Sequence, residues 1–75
     1  MNEVLEENRD VLKEGDKNSQ AYGAAIEDVT KEAKKVFGAH VDEKFVEANI
    51  DQFLALEEGG EAADAAWKTL VENSR

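Results

Sequence analysis

The sequence predicts an all-α fold, a small bundle of four to five short helices, on three observations. The 75 residues contain no proline, while eleven alanines and twelve glutamates weight the chain toward helix. Apolar residues recur at steps of three and four, the spacing of one helix face. No run of four or more residues shows the β-branched alternation of a strand. Glycines at 15, 23, 38, 59 and 60 punctuate the helical stretches.

The first helix is expected over 3–14. Its apolar residues form two doublets, Val4-Leu5 and Val11-Leu12, seven positions apart, with Asn8 between them on the same side. That spacing gives a narrow stripe with coiled-coil character rather than a wide packed face. A helix this short is marginal in water by itself. It therefore either docks on the rest of the chain or is the end of a coiled coil. Val4, Leu5, Val11 and Leu12 are the candidate partner-binding residues; the competing reading packs them onto the chain's own core. Residues 15–20 are a polar linker of turn formers in which Asn18 or Ser19 can cap the next helix. A compact helical domain is expected over 21–75.

Within it, a helix should run from Ala21 to Phe37, with Tyr22, Ile26, Val29, Ala33 and Val36-Phe37 on one face. Lys34 and Lys35 fall in its last turn, where positive charge suits the helix dipole, and Gly38 stands where a left-handed cap ends it. Asp42 is the next cap. Asn49 and Asp51 interrupt the apolar run that follows, because both residue types prefer helix ends. The expectation is a helix over 43–48, a kink near Asn49 and a second helix over 51–58, with one continuous helix as the alternative. Gly59-Gly60 ends it. The last helix, 61–72, presents Ala63, Ala66-Trp67 and Leu70-Val71 on one face, with Trp67 as the largest apolar anchor. The expected core is Tyr22, Ile26, Val29, Val36, Phe37, Val41, Phe45, Val46, Ile50, Phe53, Leu54, Leu56, Trp67, Leu70 and Val71.

Charge and composition exclude several roles. Eighteen acids against nine bases leave a net charge of −9, which opposes direct nucleic-acid binding. Without cysteine there is no disulfide framework, thiol nucleophile or thiolate zinc site. No apolar stretch reaches a membrane-spanning length of about 18 residues, and the chain does not start like a signal peptide. Carboxylates at Glu57, Glu58, Glu61 and Asp64 surround the diglycine, but the calcium-loop spacing fails there. Starting at Asp16, with Asn18, Gln20 and Glu27, it fails too, because Ala21 and Gly23 stand at the wrong positions. Dipole-stabilised acids are the simpler account. His40, the lone histidine, has no nucleophile in a recognisable context and reads as a helix-end cap or a solvated side chain. No Asp-Ser-Leu tripeptide is present, which excludes an acyl carrier protein. An enzyme is not expected, and no cofactor or metal is called for.

The stretch GAHVDEKFVEANIDQFLALEEGGEAADAAWKTL, from Gly38 to Leu70, is similar to a segment of phage tail tape measure proteins of Gram-positive bacteria and their prophages. In that family a helix ends at a glycine, and a connector and polar cap follow. Next come Phe-(Val/Ile), an asparagine four residues after the phenylalanine, an apolar helix, a Gly-acid turn and an alanine-rich helix. The matching residues are Gly38, Asp42, Phe45, Val46, Asn49, Ile50, Gly60, Glu61, Ala63 and Leu70. Upstream, NEVLEENRDVLKEGDKNSQAYGAAIEDV resembles the coiled-coil-to-domain transition of the same proteins. The resemblance implies a structural module without catalytic residues, within a longer protein that lines the tail tube and sets tail length. Its partners would be its own upstream coiled coil or other tail components. Its place would be the virion tail, and the bacterial cytoplasm during assembly.

The alternative is a free-standing acidic helical protein that blocks a basic nucleic-acid-binding surface by imitating phosphate charge. Residues 38–75 carry nine acids against three bases. Glu43, Glu47, Asp51, Glu57, Glu58, Glu61 and Asp64 are the candidates for one exposed acidic face.

Overall fold

Each helix boundary has a local cause. The computed structural model describes residues 1–75 as α1 (Asn2–Glu14), α2 (Gln20–Phe37), α3 (Glu43–Ala48), α4 (Ile50–Glu58) and α5 (Gly60–Asn73). At the start of α2, the Ser19 hydroxyl oxygen accepts from the Tyr22 amide at 3.1 Å. Asp42 does the same for α3, accepting from the Phe45 amide at 2.9 Å. Each satisfies an amide that the helix leaves without an internal partner. Gly38 ends α2 at φ 115°, a backbone conformation that L side chains avoid. It is not the left-handed helical cap expected there, since ψ is 158°. Gly59 and Gly60, at φ 79° and 66°, turn the chain from α4 into α5.

The kink at Asn49 separates two helices, and three groups hold it. The Asn49 amide reaches the carbonyls of Phe45 and Val46 at 3.1 and 3.2 Å. Its side-chain Nδ2 donates to the Phe45 carbonyl at 2.9 Å. Its Oδ1 accepts from Asn73 Nδ2 at 2.8 Å. The last bond ties the start of α4 to the end of α5, so the two helices form an antiparallel hairpin.

Thirteen apolar residues fill the core, drawn from all five helices and from Val41 in the connector before α3. Leu5 and Leu12 of α1 are among them, at 0% and 5% exposure. α1 packs against α2 and α4, so the packed body includes residues 1–14 as well as 21–75. Ala33 and Ala66, expected on the inward faces of their helices, are buried, and so is Ala25, which was not expected there. Their small side chains let the helices approach closely. Buried Thr30 is satisfied within its own helix, donating to the Ile26 carbonyl at 2.7 Å.

Two expected core residues lie outside. Val36 is 42% exposed and Trp67 45% exposed. Trp67 follows Ala66, and neighbouring helix positions are about 100° apart around the axis. Ala66 and Leu70 point into the core, which swings Trp67 to its margin. Phe37, Phe45, Ile50, Leu54 and Val71 are half-buried around that margin.

Candidate interaction surface

The stripe on α1 divides between the two readings of its residues. Leu5 and Leu12 are enclosed, whereas Val4 and Val11 are half-buried at the edge of the core. Positions seven apart differ by only about 20° around a helix. Each doublet therefore turns its leucine inward and leaves its valine one step aside. Asn8 donates to the Val4 carbonyl at 2.9 Å, within its own helix. Arg9, between the doublets, pairs with Glu57 of α4 at 3.3 Å and fastens α1 to the body. Of the four candidate residues, Val4 and Val11 alone keep surface that a partner could reach.

A second surface has an aromatic ladder beneath it. Fully buried Phe53 meets Phe45 edge-on at 6.2 Å between ring centroids and Phe37 at 6.4 Å. Phe37 in turn meets Trp67 at 5.2 Å, so a continuous set of rings leads from the core to the solvent. These spacings lie in the range of favourable tilted and edge-to-face contacts. Beyond Trp67, a shallow groove of about 430 Å³ runs along α5, lined by Trp67, Lys68, Val71, Glu72 and Arg75. The sequence gives weight to Trp67 by size, and the surface position follows from its neighbour Ala66.

The acidic residues are dispersed. Sixteen of the eighteen carboxylates are exposed, with Glu32 and Glu57 half-buried. Those two carry the ion pairs, Glu32 with Lys35 at 3.9 Å and Glu57 with Arg9. Glu43 lines a depression with Glu27, Thr30 and Lys31. Glu47 lines another with Lys17 and Lys44, and Asp51 and Glu58 a third with Arg9 and Lys13. Four members of the candidate acidic face therefore occupy three separate depressions, each shared with basic side chains.

The residues considered for chemistry have structural places. His40 donates from Nε2 to the Ser74 carbonyl at the end of α5, where a donor suits the negative end of the helix dipole. Asp16 Oδ1 accepts from the Asn18 amide at 2.8 Å in the linker turn. Lys34 leaves the α2 face to donate to the carbonyls of Ala39 and Val41, at 3.2 and 2.7 Å. It thereby satisfies connector groups that the sequence reading did not provide for. No three His, Asp or Glu side chains gather closely enough to hold a metal ion, and no helix is long and apolar enough to cross a membrane. Comparison of the chain with protein-family models, with curated proteins and with solved structures finds no match.

Proposed function

We propose that this chain is a non-enzymatic structural module of a phage tail tape measure protein. The observation behind this reading is the use made of the residues that carry the resemblance. Gly38 ends α2 and Asp42 caps α3. Val46 and Leu70 are buried in the core, and Phe45 and Ile50 are packed against that core. Asn49 clamps the kink, and Gly60 turns the chain into α5. The motif is thus a set of instructions for a shape. A motif of that kind suits a protein whose task is to occupy length and volume in an assembly. Net charge of −9 also keeps such a module from adhering to DNA passing beside it. Partners would be its own chain upstream or other tail components, in the virion tail and, during assembly, in the cytoplasm.

The test is the intact mass of the native gene product in its source, by mass spectrometry, followed by analysis of purified tails. A product many times heavier than 8.3 kDa, containing this sequence and present in tails, is the expected result. A free product near 8.3 kDa refutes the proposal. A second reading, a small acidic protein that imitates phosphate charge, draws on the sixteen exposed carboxylates. It predicts salt-sensitive binding to a basic nucleic-acid-binding protein, and absence of binding at low salt removes it.

A further inference from the structure

We propose that the outer stripe of α5 is a self-association surface, on which a second copy of this chain lays its own α5 antiparallel across a two-fold axis. Asp64, Trp67, Lys68, Val71 and Arg75 follow one another at helical spacing on one side of the segment. The same side carries the groove formed by Trp67, Lys68, Val71, Glu72 and Arg75.

The order of chemistry along this stripe makes it complementary to its own reverse. An acid stands at one end and a base at the other, with Trp67 and Val71 between them and Lys68 and Glu72 alongside. A two-fold axis at the level of Thr69 places Trp67 over the second copy's Val71. It sets Asp64 within one residue of the second copy's Arg75, a contact made twice, while Lys68 stands as near the second copy's Lys68 as its Glu72, so the end pairs carry the complementarity. Within one molecule Asp64 and Arg75 are eleven positions apart, Arg75 lying two residues past the end of α5, and they do not pair with each other. Both ion pairs of the molecule lie elsewhere, Arg9 with Glu57 and Lys35 with Glu32. None of the four charges of the stripe is held in an ion pair, although Lys68 has Asp64 and Glu72 four positions away on its own helix.

Charge also selects the occupant. Lys68 and Arg75 line this groove beside Glu72, with Asp64 one turn before Lys68. Two copies at −9 each repel over long range, but salt screens that repulsion beyond about 8–10 Å. Contact is then decided locally, and this face is locally balanced. Trp67 is 45% exposed, so about 100 Å² of tryptophan surface is covered per copy. That is far below the roughly 800 Å² per partner of a standard interface. The association is therefore weak and concentration-dependent.

The experiment is sedimentation equilibrium of the full chain from about 10 μM to about 1 mM, the range in which a weak Kd falls. The weight-average mass should climb from 8.3 kDa toward twice that value. Emission of the single tryptophan should shift to the blue in step as its open face is covered. Asp64→Arg and Arg75→Glu alter exposed side chains, and each should weaken association about tenfold or more. The double variant should restore it. Net charge runs from −9 to −7 in the first variant, −11 in the second and −9 in the double. Generic repulsion would instead make Asp64→Arg the stronger associator. A chain that stays monomeric throughout the range overturns the proposal, as does a dimer that tolerates either single reversal.

Discussion

Replacing Leu5 by alanine asks whether α1 is part of the body or an arm attached to it. Leu5 is fully enclosed, and truncating an enclosed leucine typically costs about 2–5 kcal/mol, from lost transfer energy and the cavity left behind. A domain of this length has a total stability of about 4–11 kcal/mol. A loss near 3 kcal/mol therefore removes a large share of it and lowers the melting temperature by about 12–24 °C. Two probes should be followed in one thermal scan. Far-UV circular dichroism reads all the helices, including the 13 residues of α1. Fluorescence of Trp67 reads α5, at the far end of the chain. Because Leu5 belongs to the same core as Phe53 and Leu70, both transitions should fall together. Val4→Ala, at a half-buried position, should cost only about 1 kcal/mol. If Leu5→Ala removes helix signal but leaves the Trp67 transition within about 2 °C of the parent, α1 is separable and the reasoning fails.

Five further substitutions test single residues. Gly23 lies inside α2 with open space where a Cβ would stand, so Gly23→Ala should stabilise by about 0.5–1 kcal/mol. Gly38→Ala should destabilise by about 1–3 kcal/mol, because φ is 115° and the new Cβ would meet the His40 ring at 2.8 Å; thermal melts of the two variants check both signs. Asn49→Ala should cost about 1–2 kcal/mol by removing the bonds to the Phe45 carbonyl and Asn73. Asn73→Ala loses only the exposed bond and should cost about 0.5 kcal/mol, and a urea-unfolding double-mutant cycle should give non-additive values. Arg9→Gln should cost about 0.5 kcal/mol at low salt and nothing measurable near 1 M, because the pair with Glu57 is partly exposed.

Helix ends were legible because each is made by one residue doing one local task. Ser19 and Asp42 accept from amides three residues on, and Gly38 and the diglycine take backbone angles that side chains resist. The break at Asn49 was legible for the same reason: an amide side chain competes for the carbonyl four residues back. The inward direction of α1 was not. Valine and leucine in a doublet are both apolar, and only the positions of α2 and α4 decide which one is enclosed. The alanines were legible in part: Ala33 and Ala66 lie on the faces their spacing predicted, and only the burial of Ala25 required the fold. Of the candidate partner-binding residues, the stripe itself was readable, while its division into enclosed Leu5 and Leu12 and marginal Val4 and Val11 required the fold.

The exposed tryptophan shows how size misleads in so thin a body. The molecule measures 30 × 27 × 19 Å, and a helix with its side chains is about 10–12 Å across. The shortest dimension thus holds scarcely two helix layers, with one sheet of side chains between them. Phe53, Leu5, Ile26 and Leu70 fill that sheet, and Ala66 of α5 is buried with them. A tryptophan at position 66 would force the helices apart; at position 67 it rests on Phe37 with one face uncovered. Packing alone is therefore enough to leave Trp67 at the margin. It gives no reason for opposite charges, Asp64 and Arg75, to stand at the two ends of the same stripe. Reversing both together keeps the net charge and the packing and exchanges only their places. If packing is the whole cause, each single reversal should be as inert as the double; if the stripe meets its own copy, only the double should behave like the parent.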